Sequence, residues 1–281
     1  MKATDSMPDT NWVKGAYIPK YLIIDEMSMI GTNFYNIFGM IKENRPNTKF
    51  IFLGDFNQIP PVNEEHIDFS NTYFLKMLCG NEKWVLTKQY RQGKCALPTL
   101  LKSLTKKWND ELTPFIKKHI PINDNIDEMV YSWNICYNNA NHKDGAHINK
   151  VLNERHWVLA GEDRLAELDF GKIIKGMKII SKTAIKKLKI NNNSIMTITD
   201  LSGTDIITKD RYDEEYIIPL DLIKKFNLAY CITAHKSQGQ TLKGKIFIHQ
   251  LAKLCVDDYK MVYTAMGRAT SMENVFLVNK V

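Results

Sequence analysis

The chain has few arginines, no paired cysteines and no long apolar run, and each shortage excludes a class of protein. No stretch approaches the ~18 consecutive apolar residues that a membrane-crossing helix needs, so a helical span is not expected. The first dozen residues, MKATDSMPDTNW, have neither the apolar centre of a secretion signal nor the arginine-rich pattern of an organelle-targeting peptide. The five cysteines (Cys79, Cys95, Cys136, Cys231, Cys255) form no C-x-x-C pair and lie mostly among apolar residues. An odd, scattered set argues for reduced, buried thiols in an intracellular protein, against a disulfide frame or a zinc cluster. Only six of the 38 basic residues are arginines.

What is present is the composition of a globular chain: 281 residues, 44% apolar, 10% aromatic and 25% charged, enough for two compact domains. The net charge of +7 is unevenly spread. Residues 1–85 hold eight Lys/Arg against ten Asp/Glu, and residues 86–281 hold 30 against 21. Within the second part, residues 171–190 carry seven lysines and no acid. Such a stripe suits a polyanion, because lysines displace counterions from phosphates, and it equally suits a solvated face.

Tyr21-Leu22-Ile23-Ile24 is a short apolar run that stops at Asp25-Glu26, and Lys49-Phe50-Ile51-Phe52-Leu53 stops at Gly54-Asp55. Runs of this length predict strands buried on both faces. Between them, Phe34, Ile37, Phe38 and Ile41 recur at helical spacing over residues 33–44. A strand, a helix and a strand, with carboxylates at the strands' C-terminal ends, predict a parallel α/β sheet whose ligand collects at those ends. Helical stretches are expected over residues 97–118 and 145–153, with a strand over 133–137. From about residue 155 to 227, short apolar pieces alternate with polar turns, which predicts a small β-barrel insert. Strands then return at 228–232, 245–248 and 274–278, with a helix around 259–269.

Two adjacent acids after a strand suit phosphoryl transfer, one holding a nucleotide's magnesium and the next polarising the attacking water. They also suit a solvated turn. Gln58, in Gly54-Asp55-Phe56-Asn57-Gln58-Ile59-Pro60-Pro61-Val62, could sense a γ-phosphate from a proline-stiffened loop, or the segment could be a plain turn.

Five segments, IIDEMSMI, FLGDFNQIPPV, LTKQYRQ, AYCITAHKSQGQTL and VYTAMGRATS, resemble motifs II to VI of superfamily 1 DNA helicases in order and approximate spacing. The pattern is most similar to the RecD-like branch that includes the petite-integration-frequency (PIF) helicases. The resemblance implies an α/β fold of two RecA-like parallel-sheet domains. The first domain would cover residues 1–85 without its initial βαβ unit. The second would comprise 86–154 and 228–281, interrupted by an SH3-like barrel at 155–227. It implies an ATP-dependent helicase that moves on single-stranded DNA, 5′ to 3′, in replication, repair or recombination.

By the same resemblance, Asp25 would hold Mg2+ through water and Glu26 would be the catalytic base. Gln58 would contact the γ-phosphate of ATP. Arg91 and Arg268 would act as arginine fingers, and Gly239 would approach the nucleotide. Thr233, His235, Lys236, Ser237 and Gln238 would grip the DNA backbone. A fixed, permanently charged, bidentate donor is what a phosphoryl transition state requires, though arginines on a helix face also serve as ion-pair partners. Residues 135–149 weakly resemble a further family segment with an asparagine at a strand end.

The pattern breaks at the phosphate-binding loop. The sequence contains no G-x-x-x-x-G-K-[ST]. Gly239 to Lys245 fits the first seven letters, but Ile246 follows and a strand is expected where a helix should start. The chain therefore reads as a helicase without its first βαβ unit, completed by a separate chain or an upstream segment. Two alternatives stay open: a non-catalytic single-strand-binding module, and a viral superfamily 1 RNA helicase, against which the HKSQGQTL wording argues. Gly267, before Arg268, replaces the family's usual Thr or Ser.

Overall fold

A computed structural model describes residues 19–92, 95–138, 145–169 and 171–280. The reading of the N-terminal dozen residues, and part of the 135–149 segment, lie outside the described residues. The chain divides into two compact units between Gln89 and Tyr90; the expected boundary was after residue 85.

In the first unit, β1 (Tyr21–Ile24) and β2 (Lys49–Phe52) pair in parallel, Tyr21 opposite Lys49 and Ile24 opposite Phe52, joined by α1 (Thr32–Asn44). The predicted spacing buries Phe38 and Ile41 of α1, together with Tyr35. They pack on Phe50, and Phe69, Leu75 and Leu78 close the core, the last two from α2 (Tyr73–Leu78). Tyr35 stacks on Phe69 at 5.1 Å between ring centroids, and burial raises its phenol to about 12. One expectation fails here: the strands are not buried on both faces. Tyr21 is 49% and Ile23 65% exposed, because α1 covers one face of the pair and nothing described covers the other. Trp84, Val85 and Leu86, beyond α2, are exposed as well, Leu86 at 92%.

The second unit is built on a four-stranded parallel sheet in the order β11-β3-β12-β13, from β3 (Trp133–Cys136), β11 (Cys231–Thr233), β12 (Ile246–Ile248) and β13 (Val275–Leu277). Its helices are α3 (Leu97–Leu104), α4 (Asn109–His119), α5 (Ile126–Val130), α6 (Gly145–Leu159), α7 (Ala234–Ser237), α8 (Leu251–Leu254) and α9 (Lys260–Met266). Between α6 and β11 lies an antiparallel hairpin, β4 (Arg164–Leu168) with β5 (Gly171–Ile174). A five-stranded antiparallel sheet follows, in the order β10-β6-β7-β8-β9. It comprises β6 (Lys178–Ser181), β7 (Ile195–Ser202), β8 (Asp205–Lys209), β9 (Glu215–Pro219) and β10 (Phe226–Leu228). One apolar core runs from this sheet (Ile179, Met196, Ile206, Phe226) through Leu152 of α6 to Phe247 of the parallel sheet.

The single strand expected over 228–232 is in fact two strands in two sheets. β10 pairs with β6, β11 pairs with β3, and Ala229-Tyr230 crosses between them. Uniform apolar lettering hides the break, which is set by side-chain amides. Asn149 of α6 binds both backbone groups of Cys231, Oδ1 accepting from its N–H (2.9 Å) and Nδ2 donating to its carbonyl (2.8 Å). One turn along α6, Asn153 does the same to Lys172 of β5, at 3.0 and 2.7 Å. Two asparagines thus stand in for neighbouring strands and tie one helix to the parallel sheet and to the β4–β5 hairpin.

Under the parallel sheet, His249 is 2% exposed and its Nε2 lies 2.9 Å from Asn134 Oδ1, so Nε2 carries the proton. Burial pulls its pKa down to about 4. A folded-state value below the ordinary 6.5 means that the unfolded chain binds the extra proton. This contribution to stability is complete above pH 6.5 and lost as pH falls towards 4. Urea unfolding midpoints should therefore drop across that window, and His249→Gln should flatten the drop; an identical pH profile would contradict the assignment.

Candidate functional site

In the first unit the two strand-end loops converge. Met27 N–H donates to Leu53 O (2.9 Å) and Leu53 N–H to Ile24 O (2.8 Å), which extends the β1–β2 ladder past both strands. Gly54 lies at φ +154°, and a Cβ there would meet Met27 N and Cγ at 2.7 Å, so only glycine permits this approach. The crossing places Asp25 and Glu26 beside the loop that carries Gln58.

Glu26 is held in the left-handed region, φ 52° and ψ 46°, which costs a non-glycine residue roughly 1 kcal/mol or more. Its N–H donates to Asp25 Oδ1 at 2.8 Å. Asp55 shapes the second loop, its Oδ1 accepting from Asn57 N and Nδ2 and its carbonyl from Gln58 N at 3.0 Å. Two residues that the sequence reading missed complete this end. Gly54 was read only as part of a turn. Glu64, 32 residues beyond the helix start, accepts from Thr32 N (2.8 Å) and Oγ1 (2.9 Å) and caps α1 where Gly31 has no side chain to do so.

In the second unit, the 233–241 loop starts on the last residue of β11 and contains the one-turn α7. Thr233 Oγ1 accepts from Lys236 N–H at 3.2 Å, and Ser237 Oγ donates to Ala234 O at 2.7 Å. Gln240 Nε2 donates to Lys236 O at 3.0 Å, and Gly239 turns the chain at φ +75°. His235, Lys236 and Gln238 are partly exposed, Ser237 is buried, and burial lowers the Lys236 ammonium. After Gly239–Lys245 comes β12, the strand expected there.

Arg91 and Arg268 are brought to one place, the end of α9. Arg91 Nη1 donates to Gly267 O at 2.9 Å, and Gln92, which the sequence reading passed over, donates to the same carbonyl at 3.3 Å. Arg268 is 2% exposed; its Nε donates to Thr264 O (3.1 Å) and its Nη1 to Gln240 O (3.4 Å). Both of these bonds go to carbonyls of its own unit. Through Gln240 it is wired to the 233–241 loop.

The lysine stripe is a further correction. Lys172 pairs with Glu154 (2.5 Å) and lies 5.7 Å from the Trp157 ring centroid. Lys178 is largely buried 4.2 Å from the centroid of Trp133, and burial lowers it to about 8. Both ammonium groups are held against aromatic rings and are only partly exposed, which a count of lysines cannot show. Among the described residues no cluster of three or more His, Cys, Asp or Glu side chains could hold a metal ion, and no helix is long and apolar enough to cross a membrane.

No protein-family model matches the chain, and no curated protein matches its sequence. Solved structures do. A Pif1 helicase from Candida albicans superposes with a TM-score of 0.58 at 16% identity, covering 93% of this chain and 73% of that one. Pif1 from Bacteroides bound to single-stranded DNA gives 0.61 at 18% identity, over 92% and 70%. The Bacteroides protein in complex with ADP-AlF3 and single-stranded DNA gives 0.60 at 19% identity, over 92% and 70%. The chain therefore has the mixed α/β fold, with parallel RecA-like sheets, of Pif1 helicases.

Proposed function

We propose that the chain is the part of an ATP-driven DNA helicase that carries motifs II to VI and moves on single-stranded DNA, 5′ to 3′ by family resemblance. The observation that carries this reading is the crossing at Gly54, which sets two acids and the Gln58 loop at the C-terminal edge of a parallel strand pair. In an open α/β sheet that edge is where ligands bind.

The residues fit a magnesium nucleotide. One oxygen of Asp25 is fixed by the Glu26 N–H, and the exposed carboxylate suits contact with a metal through water. Bound there, Mg2+ would neutralise charge on the phosphate oxygens. Glu26 takes the proton of the attacking water, held in place by its constrained backbone. Gln58 orients the γ-phosphate. Arg91 and Arg268, near Gly239, supply positive charge as the phosphoryl group leaves, and exchange of the Gln240 carbonyl from Arg268 passes that event to the DNA-gripping loop. The phosphate cradle is supplied by a βαβ unit seated on the open face of β1–β2, in an upstream segment or a separate chain. Tyr21, Ile23 and Ile51 are the apolar surface that a parallel sheet normally covers.

Lys236 grips the backbone of a single strand from the 233–241 loop. Lys236→Gln should weaken single-stranded DNA binding about tenfold and lower the salt dependence by about 0.7 of a log–log unit, measured by fluorescence anisotropy. Unchanged affinity and slope would remove the loop from the DNA site. The absence of a phosphate loop from the sequence favours one second reading, a non-catalytic single-strand-binding module, whose DNA affinity would ignore nucleotide.

A further inference from the structure

A single amine lies in the seam between the two sheets of the second unit. Lys178 opens β6, and its carbonyl accepts from Ala229 N–H (2.9 Å), where the chain crosses from the antiparallel to the parallel sheet. Its Nζ lies 4.2 Å from the ring centroid of Trp133, the first residue of β3, and donates to Ser132 O at 3.4 Å. Trp133 in turn packs against Ile180, Ala229 and Ile232, so the walls of the niche are apolar. Lys172 and Lys260 are also drawn in from solvent, but each meets an acid, Glu154 and Asp258. Among the described residues no carboxylate lies within ion-pair reach of Lys178.

An ammonium in such a place gives up hydration that one long bond to a carbonyl and one aromatic face do not replace. Burial therefore favours the neutral amine and brings Lys178 down to about 8. The nearby His156 of α6 is held neutral in the same way, by burial, with Asp163 opposing and the Lys178 charge adding to the effect. At neutral pH Lys178 then carries roughly 10²-fold more free amine than an ordinary lysine. Part of the side chain still reaches solvent. A desolvated lysine beside an apolar wall is an activated nucleophile, and nothing in the ATP or DNA chemistry above uses it.

We propose that Lys178 is an acylation site, which takes a small, neutral acyl group from an acyl phosphate. The Nζ lone pair attacks the carbonyl carbon and forms the C–N bond. The bond from that carbon to the phosphate oxygen breaks, phosphate leaves with the electron pair, and the amine proton passes to water. The amide product keeps one N–H for Ser132 O and removes the buried charge beside Trp133. The same environment selects the class of acyl group. Carbon dioxide or a dicarboxylic acyl group would put an anion where the cation had been, against apolar walls. A side chain that is only partly exposed admits a small donor more readily than a bulky one. The proposal uses no nucleotide and no DNA contact, so it stands or falls apart from the helicase reading.

The test treats the whole protein with limiting acetyl phosphate at neutral pH and follows each lysine by peptide mass spectrometry. Lys178 should be acetylated at least about tenfold faster than Lys186 and Lys187, which are exposed, because the gain in free amine outweighs the narrower access. Its rate should level off above about pH 8, while theirs continue to rise. The same reaction in urea should modify all three at similar rates, since the niche no longer exists. A rate at Lys178 no greater than at Lys186 and Lys187 in the folded protein would overturn the proposal. So would a preference that survives in urea, because it would then come from the neighbouring sequence and not from the seam.

Discussion

Glu26→Gln should lower DNA-stimulated ATP hydrolysis by about 10²–10⁴-fold while nucleotide and DNA binding persist. The substitution keeps the size and planarity of the side chain and removes only its ability to take a proton. The backbone that sets its position is fixed by other groups: Met27 N–H on Leu53 O, Glu26 N–H on Asp25 Oδ1, and the close approach of Gly54. Folding is therefore unaffected, and the loss falls on turnover. Hydrolysis within about twofold of the unsubstituted protein would be far below the effect of losing a general base and would remove Glu26 from that role.

The largest effect on stability is expected at Asn149. Its side chain is buried and makes three hydrogen bonds, to Gly145 O (2.8 Å) and to both backbone groups of Cys231. Asn149→Leu removes all three and leaves the Cys231 N–H and carbonyl inside the core without a side-chain partner. At roughly 1–3 kcal/mol per unsatisfied buried group, the loss should be about 3 kcal/mol, a fall of ~6–12 °C in melting temperature for a domain of this size. Asn149→Asp, which keeps the acceptor for the Cys231 N–H but sets a buried carboxylate oxygen against the carbonyls of Gly145 and Cys231, should cost at least as much. A melting temperature unchanged by Asn149→Leu would show that β11 does not depend on this helix for its edge.

Particular elements show what the sequence could carry. The α1 helix was legible because Phe34, Ile37, Phe38 and Ile41 repeat at its period, and the strands β1 and β2 because each apolar run ends at an acid. Asp25 and Glu26 stood out as candidates for the same reason, since they follow a strand end directly, whereas Gln58, Arg91, Gly239 and Arg268 were marked only by the resemblance. The one-sided burial of β1 and β2 was not legible, because an apolar run does not say whether anything covers its second face. The break between β10 and β11 was hidden by a uniformly apolar run and is set by Asn134 and Asn149, which are distant in sequence. Conformation at single residues is also silent in the letters: nothing marks Glu26 or Lys189 as left-handed, or Arg268 as folded onto Thr264 and Gln240. The lysine stripe looked continuous because counting ignores that Lys172 and Lys178 pack against Trp157 and Trp133.

The most direct test of the central claim is ATP hydrolysis with magnesium, with and without single-stranded DNA, by the protein isolated under native conditions with whatever polypeptide accompanies it. Hydrolysis that single strands stimulate and that Glu26→Gln abolishes is the expected result. Salt-sensitive DNA binding that is the same with and without nucleotide, with no stimulated hydrolysis, would contradict the motor and leave a single-strand-binding module in its place.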